Sequence, residues 1–175
     1  MGKIHFDSNG QAIVRAGQAS SVAVSLTRTN DTNAYNANDV IGAATGSTAA
    51  LTFANMGPHG GKIMITSVEF EIDVTAVISG MTTFNLHLYS VTPPSALGDN
   101  AAWDLPSGDR ASYLGYISLG TPVDVGSTLY VQTTQVNRQL QLASASLFAY
   151  LVPVGGYTPA ASMVHKITLH AIDLS

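Results

Sequence analysis

Thr83-Phe84-Asn85-Leu86-His87-Leu88-Tyr89 alternates without a break: Phe84, Leu86 and Leu88 share one side, Asn85 and His87 the other. A period of two is the mark of a β-strand with one face in a core and the other turned away from it. The pattern spreads outward from there. Over 67–74, Val68, Phe70, Ile72 and Val74 point inward, and Glu69, Glu71 and Asp73 outward. Over 163–172, His165, Ile167, Leu169 and Ala171 share a face. Over 136–142, Val136, Arg138, Leu140 and Leu142 do. Weaker strand signals lie at 22–27, 39–42, 49–54, 112–119, 127–133 and 146–152. Turn chemistry separates them, as in Gly57-Pro58-His59-Gly60-Gly61, Thr92-Pro93-Pro94 and Gly155-Gly156-Tyr157-Thr158-Pro159. No 3.6-residue period is present, and single helical turns are confined to 101–105 or 143–146. About ten short strands with such punctuation predict an all-β, antiparallel, jelly-roll-like β-sandwich.

One phase slip interrupts the alternation. Ile63 and Ile65 are odd-numbered, whereas Val68, Phe70 and Ile72 are even. A β-bulge near Thr66–Ser67 is the ordinary cause. The other reading covers both faces of the strand, with a neighbouring chain on the second.

The first residues differ from the rest. Asn9-Gly10 is a turn dipeptide, with short strand candidates at 4–6 and 12–15 around it. Residues 1–21 therefore read as an arm or hairpin, and 22–175 as one sandwich domain. The arm is either the first hairpin of the sandwich or a clasp on a partner. Ile4, Phe6, Ile13, Val14 and Arg15 are its candidate contact residues.

The composition narrows function. Of 175 residues, 10% are charged, and seven Lys+Arg against eleven Asp+Glu give −4. Ser and Thr number 34, so hydroxyls outnumber charges on the surface. Seven scattered cations do not make a nucleic-acid interface. No apolar run reaches the length of a membrane helix, and no apolar stretch follows Lys3 as a signal peptide requires. With no cysteine, there is no thiolate metal site and no thiol nucleophile.

Chemistry is sparse. His5, His59, His87, His165 and His170 form no short metal-binding spacing. His87 faces outward on its strand, and all five read as ordinary sheet or surface histidines. The Gly-x-Ser-x-Gly nucleophile motif is missing. Gly42-Ala43-Ala44-Thr45-Gly46-Ser47 lacks the Gly-Lys-Ser/Thr of a phosphate loop. Glu69 and Glu71 share a strand face with Asp73, which suits a solvated or contact face better than a hydrolytic pair. The segment 98–110 holds Asp99, Trp103, Asp104, Asp109 and Arg110. Its oxygens suit calcium and its tryptophan suits a sugar, so Asp99, Trp103, Asp104 and Asp109 are ligand-loop candidates. The plainer reading has Trp103 capping the end of the core and Asp109-Arg110 pairing at the surface. Asn30-Asp31-Thr32 matches a glycosylation sequon.

Two stretches carry a resemblance. The first is Ser25-Leu26-Thr27-Arg28-Thr29-Asn30-Asp31-Thr32-Asn33-Ala34-Tyr35-Asn36-Ala37-Asn38-Asp39-Val40-Ile41-Gly42. The second runs from Phe84-Asn85-Leu86-His87-Leu88-Tyr89 through Thr92-Pro93-Pro94 and Asp99-Asn100 to Tyr113-Leu114-Gly115-Tyr116-Ile117. With Tyr157-Thr158-Pro159-Ala160 they cover residues 25–172. In these the chain resembles small structural proteins of tailed-bacteriophage virions, and among them capsid decoration (cement) proteins. The resemblance implies a jelly-roll body, a homotrimer, and binding to the major capsid protein on the outside of the head. It implies synthesis in the cytoplasm of the host bacterium, and neither catalytic residues nor a cofactor. A glycan-binding or fibre/baseplate module of a phage tail is the alternative, with Trp103, Tyr113, Tyr116 and Tyr157 as its aromatics. A hydrolase or jelly-roll isomerase has the least support.

The charges are unevenly placed. Residues 40–98 hold only Lys62, Glu69, Glu71 and Asp73, and residues 111–175 only Asp124, Arg138, Lys166 and Asp173. Depleted charge is a property of contact surfaces. The flanks of the sandwich are therefore expected to meet other subunits.

Overall fold

The computed structural model describes the backbone of residues 5–6 and 12–13, and all of residues 18–43 and 49–174. The strands are β1 (His5–Phe6), β2 (Ala12–Ile13), β3 (Ala19–Thr27), β4 (Leu51–Phe53), β5 (Lys62–Ile72) and β6 (Phe84–Tyr89). They continue with β7 (Tyr113–Gly120), β8 (Val123–Asp124), β9 (Leu129–Thr133), β10 (Arg138–Gln141), β11 (Leu147–Pro153) and β12 (Val164–Asp173). No helix occurs among the described residues, so neither helical turn expected at 101–105 or 143–146 forms.

Ten of these strands make two antiparallel sheets. The large sheet runs β3-β12-β5-β9-β8, with β10 also on β5, and the small sheet runs β4-β11-β6-β7. Without the short β8 and β10, β3-β12-β5-β9 faces β4-β11-β6-β7. That is a jelly roll, in which a long double strand is rolled into two sheets. Rolling leaves few long open edges, which limits unwanted strand pairing. β1 and β2 pair antiparallel as a separate two-stranded sheet, with His5 opposite Ile13 and Phe6 opposite Ala12. The first sandwich strand begins at Ala19. Ser20 and Ser21, read above as part of the arm, pair with Ala171 and His170.

The phase slip is a bulge. On β12, His170 pairs with Ser67 and Ala171 with Ile65, which leaves Thr66 without an opposite residue. Its hydroxyl donates to the His170 carbonyl at 3.2 Å, and its carbonyl accepts from Val136 N–H at 3.0 Å. The extra residue moves the inward set from Ile63 and Ile65 to Val68, Phe70 and Ile72, all buried. β5 also changes partners along its length. Its first half pairs with β10 and its second with β9.

The main core lies between the sheets. Phe70 and Phe84 meet edge to face at 5.0 Å, and Leu86, Leu88, Ile117, Leu147, Ile167 and Leu169 pack around them. Burying each such side chain contributes about 1.5–3 kcal/mol.

Candidate interaction surfaces

The outer face of the small sheet is not open to water. His87 points away from the main core, as its parity requires, yet it is buried beneath Trp103. The two rings stack at 3.8 Å. Nδ1 of His87 lies 3.0 Å from the Tyr113 hydroxyl, and Tyr116 tilts over the histidine at 5.4 Å. A second apolar cluster of Val40, Ala49, Tyr89, Tyr150 and Val152 continues this layer, with Leu97, Leu105 and Phe148 against it. Burial pushes the His87 pKa down to about 4 and that of Tyr89 up to about 12. Trp103 therefore covers the side of the small sheet; it does not cap the end of the core. The pairing that holds it there is backbone: Trp103 N–H donates to Asn38 O, Val40 N–H to Ala101 O, and Asp39 bridges Ala102.

Of the four aromatics named for a glycan, Tyr157 is buried in the main core, and Trp103 and Tyr113 are half-buried against His87. Tyr116 alone of the four is broadly exposed, at 54%.

The acidic loop is dispersed. Asp99 faces inward to a buried arginine. Asp109 is buried and accepts from Ser95 N–H at 3.1 Å, so it forms no surface pair with Arg110. Asp104 is exposed and binds the neighbouring Leu105 N–H at 2.8 Å. Three carboxylates in three directions do not make a calcium cage. Among the described residues no three His, Asp or Glu side chains converge on a metal-sized site.

The arginine that receives Asp99 is Arg28, 1% exposed. Its guanidinium reaches Asp31 at 3.3 Å, Asp99 at 3.8 Å, the Asp31 carbonyl at 3.2 Å and the Ala160 carbonyl at 3.3 Å. It also donates to the Tyr35 hydroxyl, which donates to Asp99 at 2.6 Å. Asp99 further accepts from Gly42 N–H at 2.7 Å. Burial opposes the charge on Arg28, but Tyr35 and Asp99 together keep its pKa raised. Burial, and then the bond to Asp99, hold the Tyr35 hydroxyl protonated far above its usual range. This network ties the end of β3 to three loops. Parity gave a usable signal for it: Val22, Val24 and Leu26 are the inward residues of β3, and Arg28 continues the same phase.

The outer face of the large sheet is the hydrated one. Glu69 and Glu71 lie there, opposite Thr168 and Lys166 on β12. Lys166 Nζ is 2.9 Å from Glu71, and His170 Nε2 is 3.4 Å from Glu69. His165 faces the other way. It is fully buried, stacked on Phe70 at 6.0 Å, and its Nε2 lies 3.5 Å from the Tyr157 hydroxyl. Burial, with Arg28 nearby, pushes its pKa down to about 3. Phe6 and Ile13 fall on β1 and β2, while Ile4, Val14 and Arg15 lie outside the described residues.

Of the six other large apolar side chains that are exposed, four share one end of the sandwich, while Val91 and Leu174 follow strands that finish at the other. Val77, Val123, Val125 and Val154 are 48%, 58%, 60% and 39% exposed. Their loops leave the sandwich at one end, where β5 and β7 finish and β6 and β9 begin. Gly120 and Pro153 both pair with Phe84, and Leu129 pairs with Ile72.

No protein-family model matches the sequence, and no curated protein matches it. Solved structures align with it at low identity. A chain of the Ralstonia phage GP4 capsid aligns over 93% of this chain and 90% of its own, with 13% identity and a TM-score of 0.45. A chain of heated Israeli acute paralysis virus particles aligns over 98% and 80%, with 11% identity and a TM-score of 0.33. A lipoprotein of Bacteroides thetaiotaomicron aligns over 90% and 84%, with 12% identity and a TM-score of 0.37.

Proposed function

We propose that this chain is a non-enzymatic structural protein of a virus particle, a decoration protein that binds the outer surface of a tailed-phage head. The observation that carries the reading is how little of its polar chemistry is left free to act on a ligand. Arg28 with Asp99 and Lys166 with Glu71 are engaged within the fold, and His170 Nε2 stands 3.4 Å from Glu69. His87 and His165 are buried and uncharged. What remains exposed is hydroxyl-rich strand surface, a set of apolar loop tips, and single charges spread over separate segments, such as Lys62, Asp104 and Arg110. Such a molecule is equipped to pack against other proteins. The sequence resemblance across residues 25–172 supplies the particular role, with a homotrimer on the major capsid protein.

The mechanism in this reading is mass action. A protein that binds the assembled shell and not its dissociated parts stabilises the shell by RT ln(1 + [L]/Kd). Imaging of the particles that encode this chain, with an antibody against it, tests the proposal. Label distributed over the head, and particles that burst at lower temperature when the protein is removed, are the expected results. Label at the tail tip, or none on the particle, rejects it.

A further inference from the structure

We infer that the valine-bearing end of the sandwich is the surface on which copies of this chain meet. This rests on the self-assembly contained in the reading above and names the surface responsible. Four of the seven large hydrophobic side chains exposed among the described residues, Val77, Val123, Val125 and Val154, sit there on three separate stretches of chain. Scattered single apolar residues are normal on a surface, but grouping from independent segments marks a contact site.

The occupant follows from charge. The valine-bearing stretches 73–83, 120–128 and 153–156 contain no Lys, Arg, Glu or His, and only Asp73 and Asp124; on the adjoining loop after β3, Arg28 and Asp39 are buried and Asp31 is paired with Arg28. The Asp124 carboxylate is turned back onto Gly126 N–H at 2.7 Å. A strongly charged partner finds nothing complementary there. A chain of net charge −4 meets its own copies with least repulsion where acids are fewest. The outer face of the large sheet, with Glu69, Glu71 and Asp73 in one column, is the unfavourable alternative for a self-contact.

The end is also rigid, which lowers the entropy lost on association. A Cβ on Gly80, whose φ is +86°, falls 2.3 Å from the Gly156 carbonyl, and one on Gly155 falls 2.7 Å from the Gly80 carbonyl. Val154 N–H donates to Thr83 O at 2.9 Å. The loops carrying Val77 and Val154 are thus locked backbone to backbone. The β8–β9 turn, closed by Val125 N–H on Thr128 O at 3.0 Å, holds up the other two valines.

Sedimentation of the full chain over a wide concentration range tests this. The wild type is expected to form a discrete oligomer. V123T/V125T, which keeps shape and β-propensity, is expected to weaken association on the order of tenfold per valine. Its thermal melt at high dilution should be unchanged, which separates loss of contact from loss of fold. Because the chain has no cysteine, single thiols make clean reporters. V125C is expected to cross-link between copies with a short bis-maleimide. H59C, in the exposed loop at the opposite end, is not. A monomeric wild type, an oligomer unaffected by V123T/V125T, or equal cross-linking through H59C overturns the contact. A monomeric wild type would also remove the homotrimer from the reading above, but none of these results bears on where the particle imaging finds the protein, so the contact surface and the place on the particle fail separately.

Discussion

The two sheets treat their outer faces in opposite ways. On the large sheet, β5 and β12 alternate between buried residues and half-exposed polar ones, and the polar ones pair with each other. On the small sheet, β6 and β11 are buried almost throughout, because a second layer containing Trp103 lies over them. One face is stabilised by solvent and the weak Lys166–Glu71 ion pair, the other by apolar and aromatic packing. Changes under the covered face, and in the Arg28 network beside it, should therefore be far more damaging than changes on the hydrated face.

The largest effect of a single substitution is expected at Asp99. D99N removes the negative charge beside a fully buried Arg28 while leaving the side chain nearly the same size. Breaking a buried pair costs about 3–5 kcal/mol, and Asp31, still 3.3 Å from the guanidinium, holds the loss to the lower end of that range. Urea unfolding should show that loss, and R28M/D99N should be less destabilised than the two single losses added together. Additive losses would mean that Arg28 and Asp99 are not energetically coupled.

Acid comes next. His87 has a folded pKa of about 4 against an ordinary value near 6.5. The unfolded chain binds the proton first, so this stability is fully present above pH 6.5 and is lost as pH falls toward 4. The loss from His87 is about 3 kcal/mol. His165, with a folded pKa of about 3, adds to it over the same range and below. The urea midpoint should fall steadily from pH 7 to 4, and H87F should flatten part of that slope. A midpoint independent of pH over this range would show that neither histidine is held neutral by the fold.

Trp103→Ala should follow, with a loss of about 2–3 kcal/mol. That is below the cost of emptying a fully enclosed site, because Trp103 is half-buried. Hydrogen exchange should rise first in β6 and β7, beneath the missing ring. Faster exchange in β3 and β12 instead would place the weak point on the wrong sheet.

The same contrast explains what could be read from the sequence. The large sheet was legible because one wet face makes the alternation visible: the bulge at Thr66, the inward set of β12 and the pairing face of β5 all follow from parity. The small sheet was only half legible. His87 was placed on the outer side correctly, but period-two reasoning assigns that side to solvent and has no means of showing a layer folded over it. That layer is built from loops joined by isolated bridges, such as Asp39 with Ala102 and Ile41 with Leu151. Such pairings are non-local and too short to leave a periodic trace. For the same reason the acids of 98–110 looked like a shared ligand loop. Their partners, Arg28, Gly42 and Ser95, lie elsewhere in the chain, and nearness in sequence is not convergence in space.

The smallest effect is expected where sequence and structure agree best. Lys166 and Glu71 face each other across β12 and β5 at 2.9 Å, yet their side chains are 42% and 31% exposed. Water screens the attraction, and ordering two long side chains offsets much of what remains. A double-mutant cycle of K166A and E71A should return a coupling of about 0.2–1 kcal/mol, shrinking as salt is added. A coupling as large as the one expected between Arg28 and Asp99 would mean that this face is dehydrated. In that case something covers the large sheet as the Trp103 layer covers the small one, and the contrast between the two faces would fail at its most exposed point.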